Sequence, residues 1–204
     1  MIIPCREEFL NGCKEFGKHE KRDGMYKVAT FLVSHFWGKP SDMADGLGVL
    51  LLTWNQAFYR YGSFSFAKLE KCITHTLPKI ESYRNRDIRN LSGTDENDIK
   101  DLFVIFYEAL QIDAGKMQGK KSPVAVAKTL HLLAPNFFPL WDDKIARAYK
   151  CYYNANPAEK YVSFCQIIKA IADKIKNYVD NRSDKTLIKL IDEYNYSKYT
   201  KEWI

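Results

Sequence analysis

No acidic residue stands between Asp113 and Asp142, although that stretch carries Lys116, Lys120, Lys121 and Lys128. A basic run without counter-charge, closed by the carboxylates of Asp142 and Asp143, sets up a local field with an opposite pole at its end. Other absences bound the function. The longest apolar run, Gly46 to Trp54, falls well short of the ~20 residues a bilayer-crossing helix needs. The first residues, M-I-I-P-C-R-E-E, lack the basic-then-apolar order of a signal peptide. These two features predict a cytoplasmic protein with no membrane partner. The five cysteines (Cys5, Cys13, Cys72, Cys151 and Cys165) are odd in number, form no C-x-x-C pair and have no histidine at ligand spacing. Neither a disulfide framework nor a metal site is expected from them. A Gly-rich phosphate loop of Walker type is missing, which argues against nucleotide hydrolysis, and nothing calls for a cofactor. Solenoid-period repeats and low-complexity linkers are also missing.

What is present suffices for a sizeable core. In 204 residues, 46% are hydrophobic and 14% aromatic, a length at which folding hides roughly 70% of the unfolded chain's surface. A single helical domain over 1–204 is expected, with a lobe boundary, if there is one, near 85–95. The net charge of +6 and pI of about 8.9 lean toward a polyanionic partner, DNA first among them. No feature specifies an oligomeric state.

Helical periodicity recurs along the chain and strand alternation does not, so the fold class is all-α, with about nine or ten helices. Cys5, Phe9, Cys13 and Phe16 form an i, i+4 stripe after Pro4. Asp23 is placed to cap a second helix with Val28, Leu32 and Phe36 inward, and Ser41 a third that runs toward Arg60. A fourth spans Phe66 to about Thr76, and Pro78 restarts a short one. After the polar stretch holding Arg84, Arg86 and Arg89, Thr94 opens a helix with Asp95, Glu96 and Asp98 in its first turn, where negative charge favours the dipole. That helix turns Leu102, Ile105, Phe106, Ala109 and Leu110 inward. Pro157 opens a long amphipathic helix, and Ser183 starts the last one.

Within the acid-free stretch, Ser122 is an N-cap and Pro123 a first helical residue, for a helix reaching about Ala134. Pro135 and Pro139 forbid its continuation, and Asp142 or Asp143 caps the next helix, which runs to about Tyr153. A 3.6-residue wheel puts Val126, Ala127, Leu130, Leu133 and Ala134 on one face, with Lys128 and His131 on the other. Lys128 is therefore expected to face solvent or a cleft. Lys120 and Lys121 sit just before a helix N-terminus, which already attracts anions, and a neighbouring cation beside that N-terminus disfavours the protonated amine, so the amine of a nucleophile is expected there.

Gly119-Lys120-Lys121, the helix through His131, and Pro139-Leu140-Trp141-Asp142 resemble the helix-hairpin-helix DNA glycosylase superfamily, its 8-oxoguanine branch in particular. The resemblance covers about residues 113–147. It implies a compact helical fold that can divide into two lobes, a DNA partner and base-excision chemistry with lyase activity. Lys121 then looks like the amine that attacks the sugar carbon, and Asp142 like the carboxylate that supports the cationic transition state. Lys120 or Lys128 can equally supply the amine, Asp143 the carboxylate, and His131 a proton. Contacts to nucleic acid fall to Lys116, Gly119, Lys120, Ser122, Lys128, Arg84, Arg86 and Arg89. The competing reading is a non-catalytic, basic helical module that binds nucleic acid or protein. In it the lysines hold phosphates, Asp142 and Asp143 cap helices, and Phe137, Phe138 and Trp141 form a core wedge.

Overall fold

The computed structural model describes residues 3–179 and 185–204. Its described residues fold into ten α-helices: α1 (Arg6–His19), α2 (Gly24–His35), α3 (Pro40–Trp54), α4 (Gln56–Tyr59), α5 (Phe66–Arg84), α6 (Asp95–Ala109), α7 (Pro123–Leu133), α8 (Asp143–Ala148), α9 (Pro157–Ile175) and α10 (Leu187–Asn195). The all-α class read from periodicity is the class observed. Buried apolar side chains from every one of these helices join one contiguous cluster, from Phe9 of α1 to Tyr194 of α10. The most enclosed helix is α7, with nine of its eleven residues buried, and it packs against α2, α3 and α6. The chain ends in a widened helical turn, Tyr196–Thr200, laid against α1 and α8.

Short polar side chains start several helices. Ser65 accepts a hydrogen bond from the Lys68 N–H, Ser122 from Ala125, Asp142 from Ile145 and Thr186 from Lys189, so each satisfies a backbone donor that the first turn leaves unpaired. Pro40, Pro123 and Pro157 occupy first-turn positions, where no N–H is missed. The Ser183 expectation lies outside the described residues, and Thr186 is the residue that caps α10.

Several local expectations give way to tertiary packing. On α2 the buried residues are Ala29 and Val33, while Val28 is exposed and Leu32 and Phe36 are half-buried. Two apolar stripes one residue apart both repeat at i, i+4, and contact with α3 and α7 selects between them. The third helix starts after Lys39 rather than Ser41 and stops at Trp54, where Asn55 begins the separate short α4. Thr94 precedes α6 but makes no side-chain cap. Instead, the Asp95 carboxylate turns back to accept the Ser92 N–H at 2.8 Å and a fork of two hydrogen bonds from Arg86. Helix α8 ends at Ala148, short of Tyr153.

Pro78 does not divide α5, which runs unbroken through it. One ladder bond is lost there, but Ile73 and Ile80 on either side are fully buried and Tyr83 nearly so, and their packing holds the axis. A two-residue antiparallel ladder, β1 (Gly62–Ser63) with β2 (Ala114–Gly115), closes the loop before α7 and was not expected from the sequence. It needs both glycines. A Cβ on Gly62 would lie 2.3 Å from the Ala114 carbonyl oxygen, and one on Gly115 2.3 Å from that of Tyr61, where φ is also +101°.

Candidate functional site

A cavity of about 310 Å³ opens where α7, the turn before α8, α10 and the α1–α2 connection meet. Its aromatic wall comes from Phe16, Trp54, Trp141 and Tyr196. Its charged groups are Lys128 from α7, Asp142 at the start of α8, Lys189 and Asp192 from α10, and Glu20 and Asp23 from the α1–α2 connection.

Local structure explains how each group arrives there. Lys128 lies on the one side of α7 that is not fully enclosed, and its ammonium donates to the Trp54 carbonyl at 2.8 Å and sits 4.7 Å from that ring's centroid. Burial disfavours the charged amine and lowers its pKa to about 8, with Asp192 and Asp142 opposing the shift. Asp142 is fixed at both oxygens, one accepting the Ile145 N–H at 2.8 Å and the other the Thr200 hydroxyl at 2.5 Å. It therefore caps α8 and faces the cavity at once. Lys189 is almost wholly buried, with carboxylates of Asp23 at 3.0 Å, Asp192 at 3.4 Å and Glu193 at 3.8 Å. Burial works against its charge, but these three acids outweigh it and raise the pKa. Its ammonium also stands 4.5 Å and 4.4 Å from the ring centroids of Phe16 and Tyr26.

The cavity brings together Lys128 and Asp142 among the expected catalytic residues, and the others lie elsewhere. Lys121 is drawn to Glu108 on α6 at 2.5 Å, with its ammonium 5.4 Å from the Tyr107 ring centroid, and is not part of the cavity wall. Asp143 pairs with Arg147 one turn on, at 2.8 Å on an exposed face. His131 is fully buried and hydrogen-bonded at both ring nitrogens, a structural histidine rather than a proton donor in the cavity. Its Nδ1 lies 2.7 Å from the Phe138 carbonyl and its Nε2 3.1 Å from the Tyr26 hydroxyl, and burial lowers its pKa to about 4. The face of α7 opposite Val126 and Leu130 is covered as well, so His131 is buried although it lies away from those residues.

The expected nucleic-acid contacts divide in the same way. Lys116 and Lys120 are exposed, and Gly119 turns the chain between them at a φ of +81°. Ser122 is buried, its hydroxyl accepting from Ala125 and from Asn55. All three arginines are engaged within the fold. Arg84 lies 3.6 Å over Trp37 and donates to the Leu133 carbonyl at 3.0 Å, Arg86 grips Asp95, and Arg89 pairs with Asp87 at 2.9 Å. Phe137, Phe138 and Trp141 are core residues, although Trp141 also presents part of its surface to the cavity.

Sequence reasoning missed the contribution of α10 and of the α1–α2 connection. A signal existed in L-I-K-L-I-D-E, where Lys189 interrupts an apolar stripe with Asp192 and Glu193 three and four residues on, the spacing of same-face neighbours. Among the described residues, no group of His, Cys, Asp and Glu side chains is arranged to hold a metal ion, and no helix is long and apolar enough to cross a membrane. Compared with known proteins, the chain matches no family, no curated protein and no solved structure.

Proposed function

We propose that the protein is a base-excision glycosylase with lyase capacity, in which Lys128 rather than Lys121 is the amine and Asp142 is the carboxylate. The observation that carries it is their common cavity: an amine and a fixed carboxylate from the acid-free segment and its closing turn line one aromatic-walled space of about 310 Å³. Chemistry on a base requires taking it out of the stack, and aromatic walls offer the extruded ring a surface to rest on.

The chemistry follows from the charges. A lysine whose pKa is about 8 carries a usable fraction of neutral amine near neutrality. As a neutral amine, Lys128 can keep donating one N–H to the Trp54 carbonyl while its lone pair points elsewhere. Attack of the neutral amine on the sugar C1′ forms a carbon–nitrogen bond as the glycosidic bond breaks; the departing base keeps that bond's electron pair and takes the proton that the newly formed C1′ ammonium releases. Asp142, held at both oxygens, supplies negative charge beside the cationic sugar without needing to move. Opening of the sugar ring then leaves a Schiff base on the amine.

The alternative is a non-catalytic module that binds nucleic acid. It is favoured by the exposed Lys116 and Lys120 and by the carbonyl that already holds the Lys128 ammonium. Borohydride reduction on a panel of duplexes carrying oxidised, deaminated and alkylated bases separates the two. The glycosylase reading expects a covalent protein–DNA adduct that disappears in Lys128→Gln and persists in Lys121→Ala. No adduct and no base release from any duplex would overturn it.

A further inference from the structure

A second cavity, of about 370 Å³, adjoins the first and shares Phe16, Glu20, Asp23 and Lys189 with it. The two differ in the charge of their remaining walls. The first adds the carboxylates of Asp142 and Asp192 against a single amine, Lys128. The second adds Lys21, Lys27 and Lys185 and no acid. Lys185 pairs with Glu193 at 2.7 Å. Lys21 and Lys27 are exposed and make no ion pair with any described residue.

From the first cavity to the second, the walls are therefore the rings of Trp54, Trp141 and Tyr196 with Lys128, Asp142 and Asp192, then the shared Phe16, Glu20, Asp23 and Lys189, whose ammonium is neutralised by Asp23 and Asp192, and then the ammonium groups of Lys21 and Lys27. A nucleoside monophosphate has its parts in that order. Its planar base carries N–H donors, its sugar carries hydroxyl donors, and its phosphate carries two negative charges. Carboxylates accept from amino and hydroxyl groups and repel phosphate, whereas ammonium groups attract it. The opposite orientation would set the phosphate against Asp142 and Asp192.

We infer that the two adjoining cavities form one bipartite site for a nucleoside monophosphate, with its base against the aromatic rings of the first cavity, its sugar between Asp142 and Glu20, and its phosphate on Lys21 and Lys27. This rests on the base-binding reading of the first cavity and adds the anion-binding half, from a part of the chain unrelated to the glycosylase resemblance. The same base, sugar and phosphate exist in a free nucleotide and, with a singly charged phosphodiester, in one residue of a strand.

Calorimetric titration of the full chain tests it with adenosine, guanosine and cytidine, their 5′-monophosphates, inorganic phosphate and a single-stranded oligodeoxyadenylate. For at least one base, the monophosphate is expected to bind ten or more times more tightly than its nucleoside. In the double variant Lys21→Glu/Lys27→Glu that advantage is lost, while nucleoside affinity stays within a factor of two. Tighter binding of the free monophosphate than of the oligonucleotide identifies a free nucleotide as the ligand, and the reverse identifies a strand. Equal affinity for nucleoside and monophosphate in the unmodified protein overturns the bipartite site while leaving the base cavity standing. A double variant that weakens both ligands alike overturns it in the same way. If no nucleoside or monophosphate binds, base recognition fails and the bipartite site with it.

Discussion

The Lys128 amine is held in a place that disfavours its charge, and that has a consequence for stability independent of any ligand. Its pKa falls from an ordinary 10.5 to about 8 because burial outweighs the attraction of Asp192 and Asp142. Such a fall corresponds to on the order of 3 kcal/mol of differential interaction between the two protonation states. The sign follows from proton counting. Between pH 8 and 10.5 the unfolded chain binds more protons at this residue than the folded one, so stability rises with pH through that window. Below pH 8 the full cost of the buried ammonium is present. Replacing it by an apolar side chain of similar length, Lys128→Met, should therefore stabilise the protein at pH 7, by an amount on the order of 1–3 kcal/mol. The gain should shrink toward zero by pH 10.5, and urea denaturation of both proteins at pH 7, 9 and 10.5 measures it. A Lys128→Met protein that is less stable at pH 7 would mean that the hydrogen bond to Trp54 and the neighbouring acids outweigh desolvation.

At the scale of the element, Asp142 joins two roles that substitution can separate. As the N-cap of α8 it needs an acceptor oxygen, and as a cavity wall it supplies negative charge. Asparagine keeps the first and removes the second, because Asn and Asp cap about equally well. Asp142→Asn should keep its thermal midpoint close to that of the parent, whereas Asp142→Ala should lose about 1 kcal/mol. Calorimetric melting of the three proteins decides this, and an Asp142→Asn protein as unstable as Asp142→Ala would show that charge, not capping, holds the turn. Caps were legible only in part, since Asp23, Ser41 and Thr94 make no side-chain cap on their helices. Ser122-Pro123 and Asp142 stand in sequence as the caps they are in space, since a cap depends only on residues within one turn. Pro78 and Val28 show where local rules end. Packing by Ile73, Ile80 and Tyr83 carries α5 across a proline, and neighbouring helices choose the inner stripe of α2. The candidate site was legible in part for the same reason. Lys128 and Asp142 belong to one segment, but Asp23, Lys189 and Asp192 reach them only through the meeting of chain ends, which no spacing along the sequence encodes.

In the whole molecule, His131 ties α7 and the turn that follows it to α2, more than a hundred residues earlier in the chain. Its ring bridges the Phe138 carbonyl in the turn before α8 and the Tyr26 hydroxyl on α2, from inside the most enclosed helix of the fold. The carbonyl can only accept, so Nδ1 carries the proton, and in the neutral imidazole Nε2 accepts from the Tyr26 hydroxyl. Burial is the main reason that its pKa drops to about 4, with the Lys189 charge adding to it and the Phe138 carbonyl opposing it. For a depressed histidine the folded state resists the proton that the unfolded chain accepts. Its stabilising contribution is therefore complete above pH 6.5 and declines as pH falls from 6.5 toward 4. The imidazole resonances of His131 should keep their neutral positions down to about pH 5, and the unfolding free energy should fall by on the order of 2 to 3 kcal/mol between pH 6.5 and 4. Part of that decline should vanish in His131→Gln, which has no proton to gain and keeps an amide able to face both partners. Titration of His131 with a midpoint near 6.5 in the folded protein would show that water reaches the ring, and that the junction of α2, α7 and the turn before α8 is open rather than sealed.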